Sequence, residues 1–184
     1  MAAPSAPMTA ATLTSQSARS ATQDRVAAEY QFILASGEHL HGRESDIVAM
    51  FREAFQCGEM EDRIPQSPCD TVVYEMAFRF GRADIVVFHL DGTASVIEVK
   101  DGSKGYNHVV AGIGQASLYA AQLAMSKGAV SMVRKCLLWT STGNLIGDGL
   151  IESACEQSAT IALPWPSLRA CLSAKKAAAN IVGG

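Results

Sequence analysis

Apolar and polar positions alternate with two different periods along this chain, and each change of period marks a new element. Over residues 44–56 the apolar Ile47, Val48, Met50, Phe51, Ala54 and Phe55 recur at helical spacing, and Gly58 ends the run. At ~100° per residue, Glu44 falls at the centre of the apolar stripe with Val48, Phe51 and Phe55, while Glu53 falls on the opposite face. An earlier helix is predicted over 23–35, with Thr22 as its N-cap and Gly37 as its stop. After a loop carrying Pro65 and Pro68, the segments 71–80, 83–90 and 94–100 read as strands. In the first, Tyr74, Met76, Phe78 and Phe80 share one face. The other two are apolar on both faces, which predicts a sheet covered on both sides.

A longer helix is predicted over 109–127, where Gly112, Ala116, Ala120 and Ala124 make a small-residue stripe. A strand at 136–141, a helix at 148–156, a strand at 160–163 and a last helix after Pro166, capped by Ser167, complete the pattern. Gly143-Asn144 and Asp148-Gly149 read as turn chemistry. The order is α-α-β-β-β-α-β-α-β-α. The fold class is α/β (α+β): a central mixed β-sheet flanked by helices, with an α-β-β-β-α-β core. Residues 1–22 are rich in Ala, Ser and Thr and read as a disordered tail ahead of a single domain, 23–184.

Composition narrows the picture. With 18 acidic and 15 basic residues the net charge is -3, which excludes a generally basic coat but not a local basic patch. No apolar run approaches the roughly 18 residues of a membrane span. The five cysteines, Cys57, Cys69, Cys136, Cys155 and Cys171, contain no C-x-x-C. They read as reduced packing residues of a cytoplasmic chain, without an iron–sulfur cluster or zinc. Trp139 and Trp165 read as core, and His39 and His41 as loop histidines.

The candidate chemistry depends on strand register. Asp91-Gly92 signals a hairpin between the second and third strands. A two-residue loop would set Asp84 opposite Val99. A three-residue loop, 90–92, pairs His89 with Thr93, gives Gly92 the left-handed position and sets Asp84 opposite Glu98. Glu98 and Lys100 share a face, so Asp84, Glu98 and Lys100 converge. Two carboxylates so close repel unless a cation joins them. Mg²⁺ takes oxygen ligands and binds phosphate oxygens, and a lysine beside it suits transition-state charge. That set fits metal-assisted phosphodiester hydrolysis.

Asp84, Glu98 and Lys100, in that order on two strands, resemble the motif of the PD-(D/E)XK nuclease superfamily over about residues 44–141. Gln115 and Tyr119, a Q-x-x-x-Y, are similar to its RecB/Cas4-like branch, although the cysteines lack that branch's cluster spacing. Ala83 stands where many members carry proline. The resemblance implies a restriction-endonuclease-like core. It implies that Asp84, Glu98 and the Val99 carbonyl hold Mg²⁺, for which Mn²⁺ may substitute, and that Lys100 orients or activates water. It further implies that Glu44 holds a second metal or a metal-bound water, and that Gln115 and Tyr119 support Lys100 and the scissile phosphate. Arg79, Arg82, Lys104 and His108 are the expected DNA contacts. The expected function is a deoxyribonuclease of phage, recombination, repair or restriction DNA processing, with a homodimer among the expectations. The alternative is a non-catalytic DNA- or protein-binding module on the same scaffold.

Overall fold

The computed structural model describes residues 44–60, 62–126 and 130–183, together with Asp24, Arg25, Ala27, Ala28 and Gln31, which are helical. The expected tail, the rest of the 23–35 helix, His39 and His41 lie outside the described residues. The elements are α1 (Glu44–Gln56), β1 (Thr71–Phe78), β2 (Gly81–Phe88), β3 (Ala94–Lys100), α2 (Tyr106–Ala124), β4 (Val133–Trp139), α3 (Leu145–Gln157), β5 (Ile161–Pro164) and α4 (Pro166–Gly183). A short 3-10 turn, Gly102–Lys104, joins β3 to α2. No helix among the described residues is long and apolar enough to cross a membrane.

The five strands form one mixed sheet in the order β1-β2-β3-β4-β5. β1, β2 and β3 pair antiparallel through two tight turns. β4 and β5 then add in parallel, through crossovers that contain α2 and α3. Ile85 pairs with Ile97 and Phe88 with Ala94, the register of the three-residue loop. Gly92 takes φ 78°, and its N–H donates to the His89 carbonyl. The Asp91 carboxylate accepts from the N–H and hydroxyl of Thr93, which locks the turn.

Alternation divides the core. Ile85, Val87, Ile97 and Val99 pack with Ile47 and Phe51 of α1 in the larger cluster. Val86 and Val96 pack with Tyr119, Ala120 and Leu123 of α2 in the second. β3 is buried along its whole length, as strands covered on both faces are. Trp139 and Trp165 belong to the core. Each large apolar side chain buried here contributes about 1.5–3 kcal/mol.

Several boundaries differ from the sequence pattern. β1 stops at Phe78 because Arg79 and Phe80 form the turn, where Gly81, at φ 116°, supplies a conformation closed to most residues. Phe80 therefore leaves the strand face and is 62% exposed. In α1 the buried stripe centres on Ile47, Phe51 and Ala54, which moves Glu44 to its margin. β4 starts earlier, with Arg134 and Lys135 paired at its rim to Thr93 and Ser117. α3 starts at Leu145 because Asn144 is its N-cap, accepting from the N–H groups of Ile146 and Gly147. Asp148 is a buried first-turn residue there, bonded to Ser141 and Thr142, not part of a turn. Pro166 occupies the first position of α4, where its missing N–H costs nothing.

Candidate active site

The β2–β3 ladder opens one residue beyond the Ile85–Ile97 pair. There the Val99 N–H donates to Asp84 Oδ2 at 2.7 Å, not to a main-chain carbonyl of β2. A strand residue directs its N–H and C=O towards the same neighbour, so the Val99 carbonyl also faces β2. The same register sets Asp84 across from Glu98. Lys100, two residues on along β3, reaches back, and its Nζ donates to Glu98 Oε1 at 2.8 Å. Glu98 and Lys100 are both buried, and Asp84 is half-buried.

α2 makes room for this pair. A Cβ at Gly112 would stand 2.6 Å from Leu137 Cδ1 and 2.9 Å from Lys100 Cγ. The small-residue stripe thus lets the helix lie directly on the lysine stem. Gly102 has a similar role in the 3-10 turn, where a Cβ would run into the Thr140 and Ser141 backbone. That close approach fixes the segment that carries Lys104 towards Glu44.

The charges are unevenly satisfied. Glu98 Oε2 is buried without a hydrogen-bond partner among the described residues. Burial, together with the adjacent Asp84 charge, pushes the Glu98 carboxyl up to about 7 against the pull of Lys100. Burial also raises Asp84, opposed by the Val99 N–H and by Lys100. Burial pushes Glu44 the same way, but the His108 hydrogen bond and the charges of Lys100 and Lys104 outweigh it and leave Glu44 below the ordinary range. Glu44 Oε1 accepts from His108 Nε2 at 2.7 Å and from Lys104 Nζ at 3.3 Å.

This arrangement brings together Asp84, Glu98, Lys100 and the Val99 backbone, with Glu44, Lys104 and His108 forming an adjoining cluster. Among the described residues no three His, Cys, Asp or Glu side chains form a ready ligand cage. A hard cation nonetheless suits what is present: two adjacent carboxylates sharing one lysine charge, one buried Glu98 oxygen with no partner among the described residues, and a carbonyl beside them. Gln115 lies half-buried on α2, about 4.5 Å of helix rise beyond Gly112. Tyr119 sits farther along, stacked on Phe78 with ring centroids 5.9 Å apart and its hydroxyl over Gly81. It therefore packs against the β1–β2 turn. Arg79 and Arg82 are exposed at that turn, Arg82 paired with Glu75 at 3.0 Å.

The sequence pattern did not reveal a second polar cluster at the other end of the hairpin. His89 Nδ1 lies 3.0 Å from Asp70 Oδ2 and its Nε2 lies 2.8 Å from Ser95 Oγ. Asp70 also accepts the N–H groups of Ser67 and Leu90. Ser95 is fully buried, so this chain ties the 57–70 loop to the hairpin and offers no accessible nucleophile. Neither the family models, nor the curated proteins, nor the solved structures contain a match to this chain.

Proposed function

We propose that this chain is a metal-dependent deoxyribonuclease of the PD-(D/E)XK kind, hydrolysing DNA phosphodiester bonds in phage, recombination, repair or restriction DNA processing. The observation that carries the reading is Asp84 beside Glu98 at the open end of the β2–β3 ladder, with Lys100 bonded to Glu98 and one Glu98 oxygen unpartnered. Asp84, Glu98 and the Val99 carbonyl would hold Mg²⁺ or Mn²⁺. Bound there, such a cation lowers the pKa of a water and stabilises charge on phosphorus. Lys100 fixes the Glu98 carboxylate and keeps a positive charge beside the attacked phosphate. Glu44, held by His108 and Lys104, is poised to bind a second cation or a metal-bound water. Gln115, on α2 beyond Gly112, would support Lys100 and the scissile phosphate, Tyr119 instead packs beneath the β1–β2 turn, and Arg79, Arg82, Lys104 and His108 contact phosphates. The reading implies DNA as the partner and a cytoplasmic setting.

The test is a cleavage assay on linear duplex, circular duplex and single-stranded DNA with Mg²⁺, Mn²⁺ or EDTA, beside Lys100→Ala. Metal-dependent loss of substrate that the variant lacks supports the nuclease. Intact DNA in every condition, retained in a gel shift, replaces it with the non-catalytic binding module.

A further inference from the structure

The β1–β2 turn leaves the identity of two residues open. Gly81 supplies the positive φ, 116°, so turn geometry asks neither Arg79 nor Phe80 to be Asn, Asp or Gly, and equally does not call for an arginine and an aromatic there. The Phe80 ring is 62% exposed, a costly position for an aromatic. The tip is also held in place. The Phe80 N–H donates to Gln122 Oε1 of α2 at 2.9 Å, and Tyr119 packs beneath Gly81. The Arg79 guanidinium lies 5.1 Å from the Phe80 ring centroid, on one side of the ring. Arg82, also exposed, stands two residues further along and two before Asp84.

An exposed aromatic between two arginines, in a chain of net charge -3, is the composition of a surface on which an unpaired base stacks while its phosphates meet cations. Four residue steps, with Gly81, Arg82 and Ala83 between them, separate Phe80 from Asp84, about 13 Å, within the reach of a few nucleotides of single strand. We propose that Phe80, with Arg79 and Arg82, is a stacking platform for an unpaired base, and that the substrate is single-stranded DNA led from this turn to Asp84 and Glu98. The substrate assignment rests on the nuclease reading above. Bases inside a duplex are stacked on one another, and only the end pairs present a free face to Phe80.

The experiment measures binding of the full chain to a fluorescent deoxythymidine oligomer and to a blunt duplex of equal length, in EDTA and low salt, so that cleavage does not enter. Single strands bind more tightly than duplex. Phe80→Ala and Phe80→Leu weaken the single-strand complex about tenfold and Phe80→Trp restores it, all with unchanged melting. A 2-aminopurine placed in the oligomer is quenched by the wild-type protein and not by Phe80→Ala. Equal loss on both nucleic acids, no loss, or duplex preference overturns the proposal. So does oligomer binding insensitive to Phe80 together with self-association that Phe80→Ala abolishes, which would make the turn a protein contact. Cleavage in Mg²⁺ is read in parallel. Cleavage indifferent to Phe80 overturns the platform and leaves the nuclease standing. Phe80-dependent binding without cleavage in any metal overturns the nuclease, and with it the path to Asp84.

Discussion

The carboxylate of Asp84 takes the Val99 N–H at 2.7 Å, a bond that regular antiparallel pairing would give to a backbone carbonyl. The side chain thereby ends the ladder and holds itself beside Glu98. Asp84→Asn keeps an oxygen for that N–H while removing a charge that repels Glu98. The variant is expected to melt at or above the wild-type temperature, yet to lose metal-dependent cleavage by a hundredfold or so, about 2.7 kcal/mol. Melting and single-turnover cleavage, measured on one preparation, check both halves. Retained cleavage would remove Asp84 from the site.

Proton binding at Glu98 sets a pH window. Its carboxyl titrates at about 7 in the fold against an ordinary 4.5, so the folded chain holds the proton more tightly than the unfolded one. The stability this supplies is fully present below about pH 4.5 and is lost as pH rises through about 7, on the order of 3 kcal/mol. Asp84, also raised, acts in the same sense. Melting curves recorded with EDTA and with Mg²⁺ should coincide at about pH 5 and separate at about pH 8, where the cation meets ionised carboxylates. Cleavage should fall as pH drops below about 7. A Mg²⁺ shift of equal size at both pH values would count against the proposed ligands.

Lys100 and Glu98 form a buried pair, with side chains 7% and 3% exposed. Removing one partner of such a pair strands the other and costs about 3–5 kcal/mol. Lys100→Met should therefore destabilise the fold as well as abolish cleavage. Lys100→Met with Glu98→Gln should recover most of the lost stability and none of the activity. Denaturant titration of the three proteins gives the coupling.

Gly112→Ala places a methyl against Leu137 and the Lys100 stem. An overpacked contact of this kind costs about 1–3 kcal/mol. Because the lysine stem has to shift, cleavage should fall further than stability does. Gly114→Ala on the same helix meets nothing within 4 Å and is the matched control. Equal cleavage by the two variants would show that Lys100 needs no such tight seat.

At the opposite end of the hairpin, His89→Ala leaves Asp70 and Ser95 without their shared partner. Loss of these buried bonds should cost about 1–3 kcal/mol. Cleavage per folded molecule should be unchanged, because the cluster stands at the far end of β2 from Asp84. A selective loss of cleavage would connect the 57–70 loop to the chemistry.

What the sequence discloses depends on how local each feature is. The Asp84–Glu98 register was readable because Asp91-Gly92 and the alternation on either side leave few loop lengths consistent with the hairpin. The fully buried β3 follows from its pattern in the same way, whereas the α1 stripe is rotated from its expected centre, with Ile47, Phe51 and Ala54 buried and Val48 and Phe55 only partly so. Phe80 reads as a strand-face residue because its apolar side chain continues the alternation of Tyr74, Met76 and Phe78, while the turn is set by Gly81. Asn144 and Asp148 look like turn residues, and only the helix start distinguishes a cap from a turn. The His89–Asp70 contact spans nineteen positions with no spacing rule to announce it. The Glu44–His108 bond spans sixty-four.

Strand order in the sheet is the order of the strands in the chain. Every pairing therefore joins consecutive strands, and the Asp84–Glu98–Lys100 group lies within a single hairpin. Loop closure is short for such contacts, which speeds folding relative to sheets with distant partners. The hairpin is an early candidate for structure in the folding transition state, with the crossovers through α2 and α3 closing later. The chemistry would then be laid down with the folding nucleus, and the helices that shield it would follow.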